Sequence, residues 1–150
     1  MFRKVAVGGT FDRLHAGHRE LLRAAFSSGE RVVIGLTSDA IAREKGAESY
    51  ERRLSQLRRF LAEEGFAERA EIVKLEDCYG PAVSDAELEA IVVTEETLAR
   101  AKEINALRRE RGLRELEIIL VPLLLAQDGK PISSRRIRRG EIDREGRLCG

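Results

Sequence analysis

The chain has 150 residues, the size of one ordinary domain, and 43% of them are hydrophobic, which is enough to bury a core. A net charge of only +1 excludes a global basic field that would recruit nucleic acid or a membrane surface. Cys78 and Cys149 are isolated, so neither a disulfide framework nor a zinc site is expected.

Short apolar runs alternate with amphipathic helical patterns along the chain. The predicted strands cover residues 4–7, 31–37, 71–75, 90–93 and 116–121. Helices are predicted over 17–28 and, after a Ser49 cap, over 50–64. A third helix is predicted after a Thr94 cap, with Glu95 and Glu96 in its first turn, and a short basic helix is predicted after Ser133. Continuously apolar strands indicate a buried parallel sheet. Right-handed crossovers then predict a Rossmann-like, doubly wound α/β fold with a five-stranded parallel sheet, as a single domain over 1–150.

A glycine turn separates the first predicted strand from the first predicted helix. Gly8 and Gly9 allow a ligand to approach the backbone closely, and the helix that follows offers unpaired N–H groups and the positive end of its dipole. In a doubly wound sheet, ligands bind at the carboxyl ends of the strands near the switch point, which is where this turn falls. The spacing matches neither a Walker A loop nor a G-x-G-x-x-G turn, so a phosphate site of another kind is expected.

The only two histidines of the chain, His15 and His18, lie three residues apart where this helix begins. Residues three apart share a helix face, so both rings can face one ligand, and Gly17 keeps the wall low enough for a triphosphate to pass. Each ring can donate a hydrogen bond to phosphate oxygens and stabilise charge as the bond to pyrophosphate breaks. Metal binding is a weaker alternative, because no third ligand is evident.

Two serines and several arginines form a second polar cluster at residues 133–138. Ser133 or Ser134 can cap a short helix and bind phosphate through the hydroxyl and the backbone N–H. Arg136 and Arg138 can clamp pyrophosphate through bidentate guanidinium contacts. Taken alone, a solvated basic helix is an equally good interpretation of this segment.

Together the two segments resemble the signatures of the nucleotidylyltransferase superfamily. Residues 8–18, GGTFDRLHAGH, are similar to its H-x-G-H signature, and residues 132–138, ISSRRIR, are similar to its I-S-S-T-R-I-R signature, with Arg135 where that family has threonine. Most of the remaining chain resembles the archaeal- and eukaryotic-type phosphopantetheine adenylyltransferase family. The segments that carry this second resemblance are GLTSD at 35–39, YERR at 50–53, DCYGPA at 77–82, VVTEET at 92–97, IN at 104–105 and GEID at 140–143.

The resemblance implies transfer of AMP from ATP to 4′-phosphopantetheine, giving dephospho-CoA and pyrophosphate, by in-line attack of the acceptor phosphate on the α-phosphorus. The implied catalytic residues are His18, His15, Lys45 and Arg136. The implied ATP-binding residues are Gly8, Gly9, Thr10, Phe11, His15, His18, Thr94, Glu95, Thr97, Ser133, Ser134, Arg136 and Arg138. The implied acceptor-binding residues are Thr10, Asp12, Lys45, Asp77 and Tyr79, with Arg43 as the substitute for Lys45. Mg²⁺ is expected to bridge the triphosphate and to keep mostly water ligands, so no protein ligand is assigned to it.

Several of these residues also have purely structural interpretations. Asp77 and Tyr79 can be a turn-forming aspartate with a packed tyrosine, Lys45 can be an exposed surface lysine, and Thr94 is expected to cap its helix in any case. Asn105, the only asparagine, either hydrogen-bonds within the site or is exposed.

Three other functions stay open on the sequence alone. The first is nucleotidyl transfer to another acceptor, because glycerol-phosphate and choline-phosphate cytidylyltransferases and FAD synthetases share both signatures. The second is a non-catalytic nucleotide-binding module. The third is an RNA-binding module built on residues 135–139, which the low net charge and the lack of aromatic stacking runs disfavour.

The sequence also carries expectations about location. No signal-like apolar stretch precedes the first strand, and the longest apolar run, residues 118–126, is far too short to span a bilayer. A cytoplasmic protein that binds neither nucleic acid nor membrane is therefore expected. The sequence leaves the oligomeric state open, a monomer included.

Overall fold

Five β-strands form one parallel sheet in the order β3-β2-β1-β4-β5 in a computed structural model that describes residues 1–149. The strands are β1 Phe2–Gly9, β2 Gly29–Thr37, β3 Ala70–Leu75, β4 Ala90–Val93 and β5 Glu117–Leu120. The central strand β1 pairs in parallel with β2 on one side and with β4 on the other. The predicted five-stranded parallel sheet is confirmed, and each predicted strand end lies within two residues of the observed one.

Five α-helices connect or follow these strands: α1 Ala16–Ser28, α2 Asp39–Ala42, α3 Tyr50–Glu64, α4 Leu98–Glu110 and α5 Ser134–Arg138. The helix α3 begins at its predicted cap, because the Ser49 side chain accepts a hydrogen bond from the Arg52 N–H, and it ends at Gly65, whose φ of 76° suits glycine. The sequence did not predict α2, since four residues are too few to display a helical period. A 3₁₀ turn, Arg43–Lys45, continues α2.

Apolar side chains cover both faces of the sheet. Successive strand residues point to opposite faces. Val5 and Val7 therefore pack in the core with α1 and α3, whereas Ala6 packs in the core with α4. The main buried helix residues are Leu22, Ala25 and Phe26 of α1, Leu57, Phe60 and Leu61 of α3, and Ala101 and Ile104 of α4. Helices on both faces make the fold doubly wound, with the switch point between β1 and β4.

The helix α4 differs from its prediction in two respects. It begins at Leu98 after Thr97, so Thr94 does not cap it and Glu95 and Glu96 precede its first turn. Thr94 instead forms a local turn, in which its carbonyl accepts from the Thr97 N–H and its hydroxyl accepts from the Glu96 N–H. Residues that hydrogen-bond to nearby backbone compete with helix, which explains the later start.

Asn105 has neither of its predicted environments. Its side chain is buried between α4 and β5, where it donates to the Leu116 carbonyl at 3.0 Å and accepts from the Leu116 N–H at 2.7 Å. An amide carries both a donor and an acceptor, so it can pair with both backbone groups of one residue. Asn105 thus joins the helix to the start of the edge strand.

In residues 1–149 no helix has the length and apolar character needed to cross a membrane.

Candidate active site

A cleft of about 760 Å³ opens at the carboxyl ends of the central strands. Its walls come from the turn after β1, the segment after α2, the turn after β4, the segment after β5 and the start of α5. The lining residues that the sequence predicted as site residues are Gly8, Gly9, Thr10, Phe11, Asp12, His15, His18, Lys45, Thr94, Thr97, Ser133, Ser134 and Arg138. This is the switch point of the sheet, where ligands bind in doubly wound folds.

The two signature segments meet directly, although more than a hundred residues separate them. The Ser134 hydroxyl donates to the Asp12 carbonyl at 2.5 Å. The Ala16 N–H at the start of α1 donates to the Arg144 carbonyl at 2.8 Å, and Arg19 forms an ion pair with Glu145. The carboxy-terminal segment therefore packs against the histidine turn, and the two segments share one cleft.

His15 and His18 form a stacked pair at the start of α1. Their ring centroids lie 3.6 Å apart with an interplanar angle of 17°. Each backbone N–H donates to the Nδ1 atom of the other ring, from His15 N at 3.2 Å and from His18 N at 3.3 Å. This reciprocal capping box uses histidines where serine or threonine and glutamate are usual.

Both histidines are held neutral. Burial, helped by the nearby Arg19 guanidinium and opposed by the Asp12 carboxylate, lowers the pKa of His15 to about 4. Burial and the adjacent His15 ring lower the pKa of His18 well below its usual range. Because each Nδ1 accepts a backbone N–H, each neutral ring carries its proton on Nε2. The pair can therefore offer two N–H donors without a cationic ring.

The glycine between the histidines is required by their geometry. A Cβ atom at Gly17 would lie 2.9 Å from Cε1 of His15, closer than real Cβ atoms approach, and 3.1 Å from its Nδ1, which is a tight contact. The preceding turn is strained as well, since Phe11 and Arg13 have φ values of 48° and 49°. The Phe11 ring is buried and meets the His18 ring edge-on at 5.3 Å. Local strain and packing thus fix the His18 ring.

Asp12, which was predicted to bind the acceptor, lines the cleft, and its carboxylate is engaged within the protein. Its side chain is buried, with one oxygen paired to Arg13 and the other accepting from the Glu48 N–H at 2.9 Å. An ionised carboxylate only accepts hydrogen bonds, and both oxygens of Asp12 already have partners within the protein. Asp12 therefore ties the turn after β1 to the segment before α3.

Lys45, and not its substitute Arg43, lines the cleft. It ends the 3₁₀ turn after α2, and Gly46 follows with a φ of 69°. Arg138 of α5 donates to the Lys45 carbonyl, which connects the carboxy-terminal segment to this turn. Lys45 is exposed and lines the same cleft as His15 and His18.

Arg136, which was predicted to clamp pyrophosphate, is not among the residues that line the cleft. Its guanidinium is paired with Asp128 and Glu141 and donates to the Pro131 carbonyl at 3.2 Å, so it holds the loop before α5. The arginines that line the cleft near α5 are Arg135, Arg138 and Arg139. The physical reason for the difference is local, since Asp128 and Glu141 lie close enough in sequence to neutralise Arg136.

Asp77 and Tyr79 lie outside the cleft lining and have the structural environment that the turn interpretation predicts. The Asp77 carboxylate accepts from the Tyr79 N–H at 2.9 Å and from the Gly80 N–H at 2.6 Å, which closes a turn. The Tyr79 hydroxyl donates to Glu103 of α4 at 3.1 Å. Their predicted contact with the acceptor has no support in this arrangement. Glu95 likewise does not line the cleft, whereas its neighbours Thr94, Glu96 and Thr97 do.

Arg53, which lies behind the cleft wall, was not among the predicted site residues. Arg53 of α3 is fully buried behind the turn after β1 and donates to the Thr10 carbonyl at 3.1 Å and the Thr37 carbonyl at 2.8 Å. In sequence it is one of two adjacent arginines in a helix. Only its spacing to the apolar stripe, four before Leu57 and seven before Phe60, could have indicated burial.

The described residues, 1–149, contain no group of three or more histidine, cysteine, aspartate or glutamate side chains placed to hold a metal ion. The carboxylates at the cleft are those of Asp12, Glu44 and Glu96, and both oxygens of Asp12 are engaged. These carboxylates are too few to bind a metal ion without further ligands. They are compatible with a hard cation that is bound by the phosphate oxygens of a substrate and keeps water ligands.

A parallel α/β sheet with a histidine turn at its switch point defines the class of nucleotide-transferring α/β proteins. Residues 6–140 match the sequence profile of the family described as Cytidylyltransferase-like. A phosphopantetheine adenylyltransferase of Methanopyrus kandleri is 54% identical over 95% of this chain and 92% of its own length. Another, of Methanothermobacter thermautotrophicus, is 51% identical over 96% of this chain and 88% of its own length.

A solved structure of a protein of unknown function from Archaeoglobus fulgidus is 37% identical and superposes with a TM-score of 0.72, over 79% of this chain and 88% of that one. The identity and coverage are far above what a shared fold alone would give. The chain belongs to the Cytidylyltransferase-like family and, within it, to the phosphopantetheine adenylyltransferases.

Proposed function

We propose that this protein transfers AMP from ATP to 4′-phosphopantetheine, giving dephospho-CoA and pyrophosphate, a step of coenzyme A biosynthesis. Relatives named for this activity are 44–54% identical over nearly the full chain. The single structural observation that supports the proposal best is the hydrogen bond from Ser134 to the Asp12 carbonyl. It joins the two signature segments around one cleft, which is large enough for a nucleotide and a second ligand.

The chemistry needs no protein nucleophile. The acceptor phosphate attacks the α-phosphorus of ATP, the new P–O bond forms as the bond to pyrophosphate breaks, and pyrophosphate leaves in line. The protein's task is to align two anions and to stabilise the charge that develops on the phosphoryl oxygens. Neutral N–H donors and nearby cations suit that task.

The histidine pair supplies donors on one side of this reaction. With each proton on Nε2, His15 and His18 can donate to phosphoryl oxygens without first losing or gaining a proton. Their rings are fixed by stacking and by the backbone bonds to Nδ1, so little reorganisation is needed when charge develops. We assign the larger catalytic effect to His18, whose ring also packs against Phe11.

Other lining residues divide between the two substrates. Thr10 and Lys45 are proposed to hold the acceptor phosphate. Gly8, Gly9 and Phe11, with Ser133 and Ser134, are proposed to border the ATP phosphates, and the turn Thr94–Thr97 is proposed to approach adenosine. Arg135 and Arg138, which line the cleft, are proposed to contact the pyrophosphate part in place of Arg136. Guanidiniums bind phosphate through paired N–H groups, which suits this position.

Magnesium is proposed to enter with ATP as part of the substrate. Bound to the triphosphate, it neutralises charge and favours departure of pyrophosphate. Glu44 and Glu96 are the lining carboxylates that could accept hydrogen bonds from its water ligands.

A substrate panel tests the proposal against its closest rivals. ATP and CTP would each be combined with phosphopantetheine, FMN and glycerol 3-phosphate, and pyrophosphate release would be measured with product identification by mass spectrometry. We expect the turnover with ATP and phosphopantetheine to exceed the turnover with every other pair by at least roughly a hundredfold. The other pairs would leave polar groups of the site without hydrogen-bond partners. Turnover with another acceptor would reassign the substrate, and binding without pyrophosphate release would indicate a non-catalytic module.

A further inference from the structure

We propose that Arg53 is a positioning residue that holds Thr10 and the Lys45 segment in register for the acceptor phosphate. The inference rests on the proposed function and deepens it, because it explains how the acceptor side of the cleft is built. Arg53 itself does not line the cleft and is not proposed to touch either substrate.

Arg53 connects three separate segments through backbone carbonyls. Its side chain has no exposed surface, and its Nε donates to the Glu48 carbonyl at 2.8 Å while Nη1 donates to the carbonyls of Thr10 and Thr37. Thr10 belongs to the turn after β1, Thr37 ends β2, and Glu48 precedes α3. A planar guanidinium with several donors can satisfy all three carbonyls at once, which an ammonium group cannot do with the same geometry.

The same contacts fix the segment that carries Lys45. At one end, Glu48 is held by Arg53 through its carbonyl and by Asp12 through its N–H. At the other end, the Lys45 carbonyl accepts from Arg138. The turn is therefore attached at both ends, and its Arg53 end is the one that is buried and shared with Thr10.

A directed chain of hydroxyl groups leads from Arg53 to Thr10. Arg53 Nη1 approaches the Thr37 hydroxyl at 3.5 Å, and the Thr37 hydroxyl donates to the Thr10 hydroxyl at 3.0 Å. The two hydrogens of Nη1 go to the Thr10 and Thr37 carbonyls, so its contact with the Thr37 hydroxyl is a weaker, shared one, and the hydroxyl hydrogen is free to point to Thr10. The Thr10 oxygen is then an acceptor toward Thr37, and its own hydrogen is left to donate to an anion in the cleft.

The charge of Arg53 is only partly compensated. The carboxylate that it contacts is that of Asp39, at 3.5 Å, and the Asp39 side chain is 50% exposed. Water screens an exposed carboxylate more than a buried guanidinium, so a positive field persists behind Thr10. That field favours a phosphate placed on the cleft side of the threonine.

A second buried arginine provides a matched control. Arg108 of α4 is 1% exposed and donates to the carbonyls of Arg114, Ala82 and Asp85. It shares the chemistry of Arg53 but packs on the other face of the sheet, and neither it nor its three partners lines the cleft. Loss of its donors should cost stability without any change in the acceptor site.

The experiment compares Arg53→Lys, Thr37→Val and Arg108→Lys in the full chain, at a temperature where circular dichroism shows all three folded. Initial rates would be measured with ATP and phosphopantetheine varied separately, and ATP binding would be measured by calorimetry. For Arg53→Lys and Thr37→Val we expect the KM for phosphopantetheine to rise roughly tenfold, the effect of losing a hydrogen bond to a charged group, with KM and Kd for ATP within about twofold of the wild type. Arg108→Lys should leave all constants within about twofold.

Thr37→Val keeps the experiment decisive if Arg53→Lys does not fold, because it preserves shape and removes only the hydroxyl link. The proposal is overturned if neither foldable variant changes the KM for phosphopantetheine, or if the KM for ATP rises by the same factor. It is also overturned if Arg108→Lys produces the same kinetic change. Failure of the proposed function is a separate result, since it would appear as absent turnover in the wild type.

Discussion

His15 and His18 owe their chemical state to packing and to the backbone. His15 is buried and His18 is partly buried, so a proton on either ring would be poorly solvated and close to Arg19. The result is a pair of neutral donors at neutral pH, with the Nδ1 atoms used for structure and the Nε2 atoms left for chemistry. This division explains why a family signature contains two histidines and a glycine at fixed spacing.

Replacement of His18 by alanine is expected to lower kcat by roughly a hundred- to a thousandfold, or about 2.7–4 kcal/mol, as for loss of one transition-state donor. Steady-state kinetics with both substrates saturating would measure this, with circular dichroism to establish the fold. Glu20→Gln, at an exposed position of the same helix, is the matched control and should retain full activity. Near-normal turnover of His18→Ala would contradict the assignment.

His15 also makes stability depend on pH. Its pKa in the folded protein is about 4, below the ordinary value of 6.5, so the unfolded chain takes up the proton first as the pH falls. The stability that neutral His15 contributes is fully present above about pH 6.5 and is lost as the pH falls toward 4. A shift of this size corresponds to roughly 3 kcal/mol.

The comparison of wild type with His15→Asn isolates this effect, because asparagine can cap the helix but does not titrate. Urea unfolding at several pH values between 7 and 4.5 should show the wild type losing more stability than the variant, by roughly 1–3 kcal/mol. Parallel stability curves for the two proteins would show that His15 is not held neutral.

At the scale of elements, α4 and β5 depend on one buried amide. Asn105 satisfies both backbone groups of Leu116, and its loss would leave a buried N–H and a buried carbonyl without partners. Asn105→Leu is therefore expected to lower the free energy of unfolding by about 2–4 kcal/mol, even though leucine is apolar and fits a helix.

Urea unfolding of Asn105→Leu beside Lys102→Ala checks this expectation. Lys102 is exposed on the same helix, so its replacement should change stability by no more than about 0.5 kcal/mol. If the two variants proved equally stable, the bonds to Leu116 would not be what anchors the edge strand.

At the scale of the whole molecule, the cleft is assembled from segments spread along the chain, from Gly8 to Arg139. A ligand that bridges them binds the folded state alone and must stabilise it. ATP with Mg²⁺ at about 100 times its Kd should add about 2.7 kcal/mol, which raises the Tm by roughly 5–10 °C for a chain of this size.

The same measurement tests whether magnesium arrives with the nucleotide. Differential scanning fluorimetry with Mg²⁺ alone should show no rise in Tm, because residues 1–149 contain no metal-binding cluster. Addition of EDTA to the ATP complex should remove part of the stabilisation. A clear rise in Tm with Mg²⁺ alone would reveal a protein-held metal site and contradict the proposal.

Sequence periodicity predicted the strands, the large helices and the α/β class because those features depend on local patterns of apolar residues. The predictions differ from the structure where a side chain has more than one possible hydrogen-bond or ion-pair partner. Thr94 closes a turn instead of capping α4, and Arg136 pairs with Asp128 and Glu141 instead of facing the cleft. Both residues had two chemically reasonable partners, and only their distances in the folded chain decided between them.

The sequence by itself determined that a glycine turn with two histidines at a helix start follows the first strand, since these residues are adjacent in the chain. Only the tertiary structure decided which distant residues complete that site. In the folded chain Lys45 lines the cleft and Arg43 does not. Asp77, Tyr79 and Arg136 lie outside the lining, and Arg53 lies behind Thr10. The reason is physical: burial and long-range hydrogen bonds depend on how the crossovers bring segments together, and no local pattern encodes those distances.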